Sequence, residues 1–406
     1  MRVSDIRVVL LDDTCRLQAV VHSDSNQPPE DRFESFEMWY RFPVWCSDFL
    51  TPDNGDPFLA ALLPIAMMTS QPLTIDAPVS AKLRGVLPEI QSIYARFDKG
   101  HSRVKVTAPV RTQLAHPGRT PTKIGLFFSM GVDSFYSLLK NVRDHPADED
   151  TITHLIPVHG FDVYHPGWDT QFTPTILEHT QMVAEGLNKT LLPVVTNLRY
   201  VMESLEAAWS MYHGAALASV ALALGGLFRR VHIAASTTYD QLYPLGTHPV
   251  LDPLWSTESL SFVHDGCELD RIDKTRMAAQ SPLALETLRV CPGHVPEYNC
   301  GRCIKCLPTM IDLLQVGALQ RCRTFPDEID IDQLRQMLLG SLGKVNYENY
   351  QRRFAACGSS EEFARLKDVL AEYLAAEANA PTGSVSPRGG DEAARRWRLL
   401  PGLRRR

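Results

Sequence analysis

The chain has 406 residues, 44% of them hydrophobic, and a formal net charge of −6. That length can bury a large core and suggests two or three domains, while a slightly acidic body has no general attraction for nucleic acid. The longest apolar stretch, 214–228, spans about 15 residues against the roughly 20 needed to cross a bilayer; with charges at Arg2, Asp5 and Arg7 and no apolar core after them, the expectation is a cytoplasmic protein without a membrane segment.

Residues 1–115 read as an α+β accessory domain. Alternating apolar positions predict strands at 6–11, 15–21 and 37–42, then a helix over 57–68 and a short strand at 73–75. A second helix follows Ser80 as N-cap, with Leu83, Val86, Leu87, Ile90, Ile93 and Tyr94 forming its apolar stripe. No catalytic motif is visible here, and a role in shaping a substrate entrance or a contact with a second copy of the chain is the expectation.

Strands then alternate with helices from 122 to 290. Strands are predicted at 124–128, 154–158, 191–195, 231–235 and 288–291, and helices at 133–142, 172–187, 211–228 and 271–277. This is the signature of an α/β fold with a doubly wound parallel sheet of five strands, whose ligands bind beyond the carboxyl ends of the strands. The first strand runs directly into Ser129, Met130, Gly131, Val132, Asp133 and Ser134 and then into a helix. Converging backbone N–H groups and a helix N-terminus suit an anion, most simply phosphate. An ordinary strand-turn-helix corner is the plain alternative. After the second strand come His159, Gly160, Phe161 and Asp162, and after the fourth a polar run at 236–240. Asp162 also suits a turn or cap, and His159 a structural position.

Tyr212, His213 and Gly214 open the apolar helix; His213 could donate to phosphate, act as acid or base, or cap the helix start. The segment 239–253 holds too many prolines and polar groups for a regular element and reads as a functional loop. Arg271 and Lys274 lie one helical turn apart and could approach a phosphate tail or form a surface ion-pair face.

Four of the nine cysteines follow the pattern Cys291-x8-Cys300-x2-Cys303-x2-Cys306, with Gly301 placed to turn the chain between ligands. Such clustering argues for a metal rather than disulfides, and the spacing suits either tetrahedral zinc or an iron-sulfur cluster. Cys15, Cys46, Cys267, Cys322 and Cys357 are isolated and suit core packing. The metal site and a helical cap, with helices at 303–314, 331–339, 347–356 and 361–376, make up 291–378. Residues 379–406, rich in Pro, Gly, Ser and Ala and then in Arg, read as a disordered basic tail.

The 129–134 run resembles the Ser-Gly-Gly-x-Asp-Ser loop of the PP-loop ATP pyrophosphatases, or adenine nucleotide alpha-hydrolases, with Met130 in place of the first glycine. A left-handed conformation at that position would cost a methionine roughly 1 kcal/mol or more. The order of this loop and the four cysteines is similar to 7-cyano-7-deazaguanine synthases, and the resemblance covers about 123–314. It implies a HUP-type domain over 122–290 and an AMP-forming ligase or synthase that binds ATP with Mg²⁺. Such an enzyme adenylates a carbonyl or carboxylate of a small, purine-like molecule for attack by ammonia or a sulfur donor.

The resemblance also implies residue roles. Ser129, Met130, Gly131, Val132, Asp133 and Ser134 would hold phosphates, Gly160 and Phe161 would meet the adenosine, and Asp162 the ribose or the acyl substrate. His213 would serve the phosphates or the chemistry, Tyr239, His248 and Asp252 the substrate, and Cys291, Cys300, Cys303 and Cys306 a structural zinc. No glutaminase or rhodanese-like active site is evident, so ammonia or sulfur would come from solution or a donor protein. Thiolation with an iron-sulfur cluster and a non-catalytic nucleotide-binding module are the alternatives.

Overall fold

The computed structural model describes residues 1–23, 33, 35–111, 118, 120–161, 174–292, 298–339 and 361–378. Asp162, the helix expected at 347–356 and the tail at 379–406 lie outside the described residues. The fold is mixed α/β, and internal contacts divide the chain into two units. One comprises Met1–Ser129 and Asp133–Leu269, the other Met130–Val132 and Asp270–Arg406.

The first unit opens on an antiparallel meander, β1 (Arg2–Leu10), β2 (Thr14–His22) and β3 (Phe36–Pro43). Alternation sends Leu17, Ala19 and Val21 of β2, and Met38, Tyr40 and Phe42 of β3, into the core. Helix α1 (Asp56–Met68), strand β4 (Leu73–Ile75), helix α2 (Ala81–Phe97) and strand β5 (Val106–Thr107) follow. Ser80 caps α2 as its sequence predicts, its hydroxyl accepting from the Leu83 N–H at 3.0 Å.

Then come β6 (Lys123–Phe127), α3 (Val132–Asp144), β7 (His154–Ile156), β8 (Val158–His159), α4 (Pro174–Gly186), β9 (Thr190–Leu191) and β10 (Val194–Thr196). Helices α5 (Leu198–Ser204) and α6 (Trp209–Ala223) and strands β11 (Phe228–Ala234) and β12 (Ser261–Asp265) complete the unit. Helices α1 and α6 are apolar on nearly every face and pack on each other, so both are buried in one core with β1–β3.

Two sheets result. A parallel five-stranded sheet has the order β12-β11-β6-β7-β9, and a mixed seven-stranded sheet the order β5-β4-β1-β2-β3-β10-β8. The runs at 154–158 and 191–195, each expected as a single strand, are split between them at Pro157 and Pro193. Proline lacks the N–H that a continuing ladder needs, so the chain leaves one sheet there and joins the other. The fifth strand of the parallel sheet is Ser261–Asp265; residues 288–291, expected to supply it, are not a strand.

The second unit holds α7 (Arg271–Ala278), α8 (Pro282–Thr287), α9 (Cys306–Gln315), α10 (Ile331–Leu339) and α11 (Glu361–Ala378). Asp270 and Ser281 cap α7 and α8 through their side chains. Arg335 of α10 meets Glu372 of α11 at 2.7 Å.

Candidate functional site

In the parallel sheet β6 has β7 on one side and β11 on the other, and the chain leaves β6 toward β7 and β11 toward β12. The direction of winding therefore reverses between β6 and β11. That is where open α/β sheets bind ligands, beyond the carboxyl ends of the two strands. The 129–134 turn leaves the carboxyl end of β6, and α3 begins at Val132, so the first N–H groups and the positive dipole end of α3 fall within the turn. The Ser129 and Ser134 hydroxyls are 3.4 Å apart, Ser129 exposed and Ser134 buried. Met130 has φ 60°, the left-handed conformation that favours glycine. Its side chain is buried and its sulfur lies 3.3 Å from the Tyr298 hydroxyl.

The four cysteines converge. Their sulfurs all lie within 4.8 Å of one another, with Cys300 to Cys306 at 3.9 Å and Cys303 to Cys291 at 4.0 Å. Cys306 opens α9, and its N–H donates to the Cys303 sulfur at 3.4 Å. Gly301 takes φ 68°, and a Cβ there would meet Pro326 at 2.8 Å, so the turn between ligands needs glycine twice over. Hydrogen bonding from Cys306 holds the Cys303 thiol down to about 4, while the same pairing pushes Cys306 up. A metal ion would take the place of the proton they share. The group can hold one metal ion.

No protein-family model, curated protein or solved structure matches the chain.

A second polar cluster lies where β8, α5 and α6 meet. Gly160 takes φ 101°. Phe161 is buried, its carbonyl accepts from Arg199, and its ring lies 5.1 Å from that of Trp209. Arg199 also stacks over Trp209 at 4.9 Å and pairs with Glu203 at 2.8 Å. His213 sits one turn along α6, with Nδ1 3.2 Å from the Trp209 carbonyl and Nε2 2.9 Å from the Thr247 hydroxyl. A carbonyl only accepts, so Nδ1 carries a proton, and in the neutral ring Nε2 accepts from Thr247. Phe161 and His213 are thus both brought beside Trp209, and Gly160 precedes Phe161 in the chain. Arg199, Trp209 and Thr247 were not singled out in the sequence, where nothing but proximity in space marks them.

The 239–253 loop is fixed to the start of α6 by backbone contact. The Gly246 N–H donates to the Ser210 carbonyl at 2.8 Å. A Cβ on Gly214 would stand 2.0 Å from the Gly246 oxygen. Along this loop the three candidate substrate residues separate. Tyr239 is 63% exposed, its N–H held by the Cys267 carbonyl. Asp252 is fully buried, pairs with His264 Nδ1 at 2.7 Å and accepts the His248 N–H at 3.2 Å. The His248 ring is buried against Phe97 at 5.2 Å, and burial, reinforced by His264, pushes its pKa down. His248 and Asp252 therefore hold the loop together, and Tyr239 alone faces solvent.

Helix α3 and the end of β12 share an ionic cluster that the sequence reading did not assemble. Lys140 donates to Asp265 at 2.5 Å and Glu268 at 2.8 Å, and the Tyr136 hydroxyl donates to Glu268 at 2.6 Å. Burial pushes Glu268 up, but the bonds from Lys140 and Tyr136 outweigh it and bring its carboxyl down to about 2. The partners on α3 and beside β12 are 125 to 132 residues apart in sequence, and helical spacing alone links Tyr136 to Lys140.

In the second unit Arg271 meets Asp312 at 3.5 Å and Thr309 at 3.3 Å, and Lys274, one turn on, is 2% exposed. Both are engaged within their own unit. Among the described residues no helix is long and apolar enough to cross a membrane.

Proposed function

We propose that the chain is an ATP-dependent enzyme of the AMP-forming type, acting on a carbonyl or carboxylate oxygen of a small molecule. The observation that carries this reading is the position of the 129–134 turn, at the winding reversal between β6 and β11 and ahead of the α3 N-terminus. The amides of Gly131, Val132 and Asp133 and the hydroxyls of Ser129 and Ser134 take the phosphates. Asp133 orders the turn or helps to place Mg²⁺. Gly160 and Phe161, in a cluster with His213, border the adenosine. The substrate oxygen attacks the α-phosphorus, the bond to the bridging oxygen breaks, and pyrophosphate leaves. Ammonia or a sulfur donor then attacks the adenylated carbon and AMP leaves. Turn amides and hydroxyls stabilise the charge that develops on the phosphates, the contribution expected to be largest in such a site.

Zinc is the metal we assign to the cysteines, and their spacing supports it. Tetrahedral Zn–S bonds of about 2.3 Å place neighbouring sulfurs about 3.8 Å apart, close to the 3.9 and 4.0 Å found. A cluster sets several irons between its thiolates and spreads them wider. Cys291, Cys300, Cys303 and Cys306 would hold the ion as a structural cross-link, with no part in the transfer of the adenylyl group.

The test is incubation of the protein with Mg-ATP and a panel of small carboxylic acids and purine-like lactams, with AMP and pyrophosphate measured together. Equimolar AMP and pyrophosphate that depend on the acceptor support the reading. ATP binding without either product would leave a nucleotide-binding module, and no magnesium-dependent ATP binding by intact protein would end the proposal.

A further inference from the structure

Two segments leave the cysteine cluster, and both end on Met130. Upstream of Cys291, the Arg289 N–H donates to the Met130 carbonyl at 3.0 Å. Downstream, Tyr298 lies two residues before Cys300, and its hydroxyl is 3.0 Å from the Thr287 carbonyl and 3.3 Å from the Met130 sulfur. Asn299 joins the two segments. Its Oδ1 accepts from the Val290 and Cys291 N–H groups at 3.0 and 3.2 Å, and its Nδ2 donates to the Leu288 and Thr324 carbonyls at 2.9 and 3.2 Å. With 5% of its surface exposed, this side chain uses both ends of its amide to fix the chain beside two of the four cysteines.

Met130 is the residue such bracing would serve. A non-glycine residue stays in the left-handed region only where its surroundings over-determine it, and Met130, at φ 60°, is held by its carbonyl and lies with its sulfur against Tyr298. All of these residues belong to the same contact unit as Met130–Val132. We propose that Arg289, Tyr298 and Asn299 are positioning residues that couple the four-cysteine centre to the conformation of Met130–Val132. Metal held by the cysteines fixes 289–291 and 298–300 against each other, and these keep the turn in its left-handed form. Without metal, Met130 loses both supports and the turn opens. The consequence for nucleotide binding rests on the function proposed above; the coupling itself does not.

Hydrogen exchange read by mass spectrometry on the full chain tests this, with metal content measured alongside. Stripping the metal with a zinc-selective chelator is expected to speed exchange at Met130–Val132 at least tenfold, and reloading zinc to restore it. Tyr298→Phe keeps all four cysteines and is expected to speed the same amides roughly fivefold, the effect of one lost hydrogen bond, at unchanged metal content. Met130→Leu, which removes the sulfur and keeps the apolar bulk, should act in the same direction. Exchange at Met130–Val132 that ignores both metal removal and Tyr298→Phe would overturn the coupling. Titration of Mg-ATP separates the two proposals. If exchange responds but the metal-loaded protein binds no ATP, the coupling stands and the nucleotide reading fails. If metal-free protein binds ATP undiminished and exchange is unchanged, the coupling fails alone.

Discussion

At Met130 two contributions to stability oppose each other. Its left-handed backbone costs a methionine roughly 1 kcal/mol relative to glycine. Its side chain, 2% exposed, contributes more, since truncating a buried methionine costs about 2–5 kcal/mol. Met130→Gly should therefore destabilise the protein by about 1–4 kcal/mol in urea unfolding, although it restores the glycine of the resembled loop; a stabilised variant would mean that the side chain is not packed as described. His154 sets a second test. Burial, with a smaller effect from Lys123, holds its ring down to about 4. Above pH 6.5 the ring is neutral folded and unfolded and has no effect on stability. As pH falls from 6.5 toward 4 the unfolded chain takes up the proton first, and up to about 3 kcal/mol of stability is lost across that window. Urea midpoints of His154→Leu and the parent should accordingly diverge less at pH 7 than at pH 5 in the parent's disfavour, and parallel pH profiles would count against this role.

Close backbone approach governs the elements. A Cβ on Gly214 would lie 2.0 Å from the Gly246 carbonyl oxygen, and neither partner is a side chain that could rotate away. Gly214→Ala should thus destabilise by about 3 kcal/mol, the upper part of the range for overpacking, and should speed proteolysis within 239–253; a variant with the parent's melting temperature would contradict the contact. The sequence gives no sign of this pairing, because each glycine reads locally as an ordinary helix or loop residue. Elsewhere local pattern sufficed. The Ser80 cap, β4 and the apolar α6 are legible because capping, alternation and uniform hydrophobicity act within a few residues. Strand β12 was missed since Ser261–Asp265 has only Phe262 and Val263 as apolar residues, typical of an edge. Residues 288–291 look like a strand, but Asn299, Thr324 and Met130 take their hydrogen bonds. The split at Pro157 and Pro193 was visible as two prolines, though their effect, a change of sheet, depends on β3 being available to pair with β10.

The whole chain carries two kinds of stabilisation, and these predict two responses to metal loss. The first unit has a continuous apolar core from β1–β3 through α1, α2 and α6, which includes none of the four clustered cysteines. In the second unit the segments 288–291 and 298–305 are irregular, and their order rests on Asn299, on capped short helices and on four thiolates drawn within 4.8 Å. Binding energy at such a site is folding energy. Metal removal should therefore lower the unfolding transition that includes α9 and leave that of the first unit's own core within about 1 kcal/mol of its original stability. Cys303→Ser should do the same and should weaken metal binding, because a neutral hydroxyl replaces one of four thiolates. Calorimetric scans of the loaded, stripped and Cys303→Ser forms, with metal analysis of each, decide the matter. A single transition that shifts as a whole would show that the two units unfold as one and that the cysteine centre supports the entire molecule.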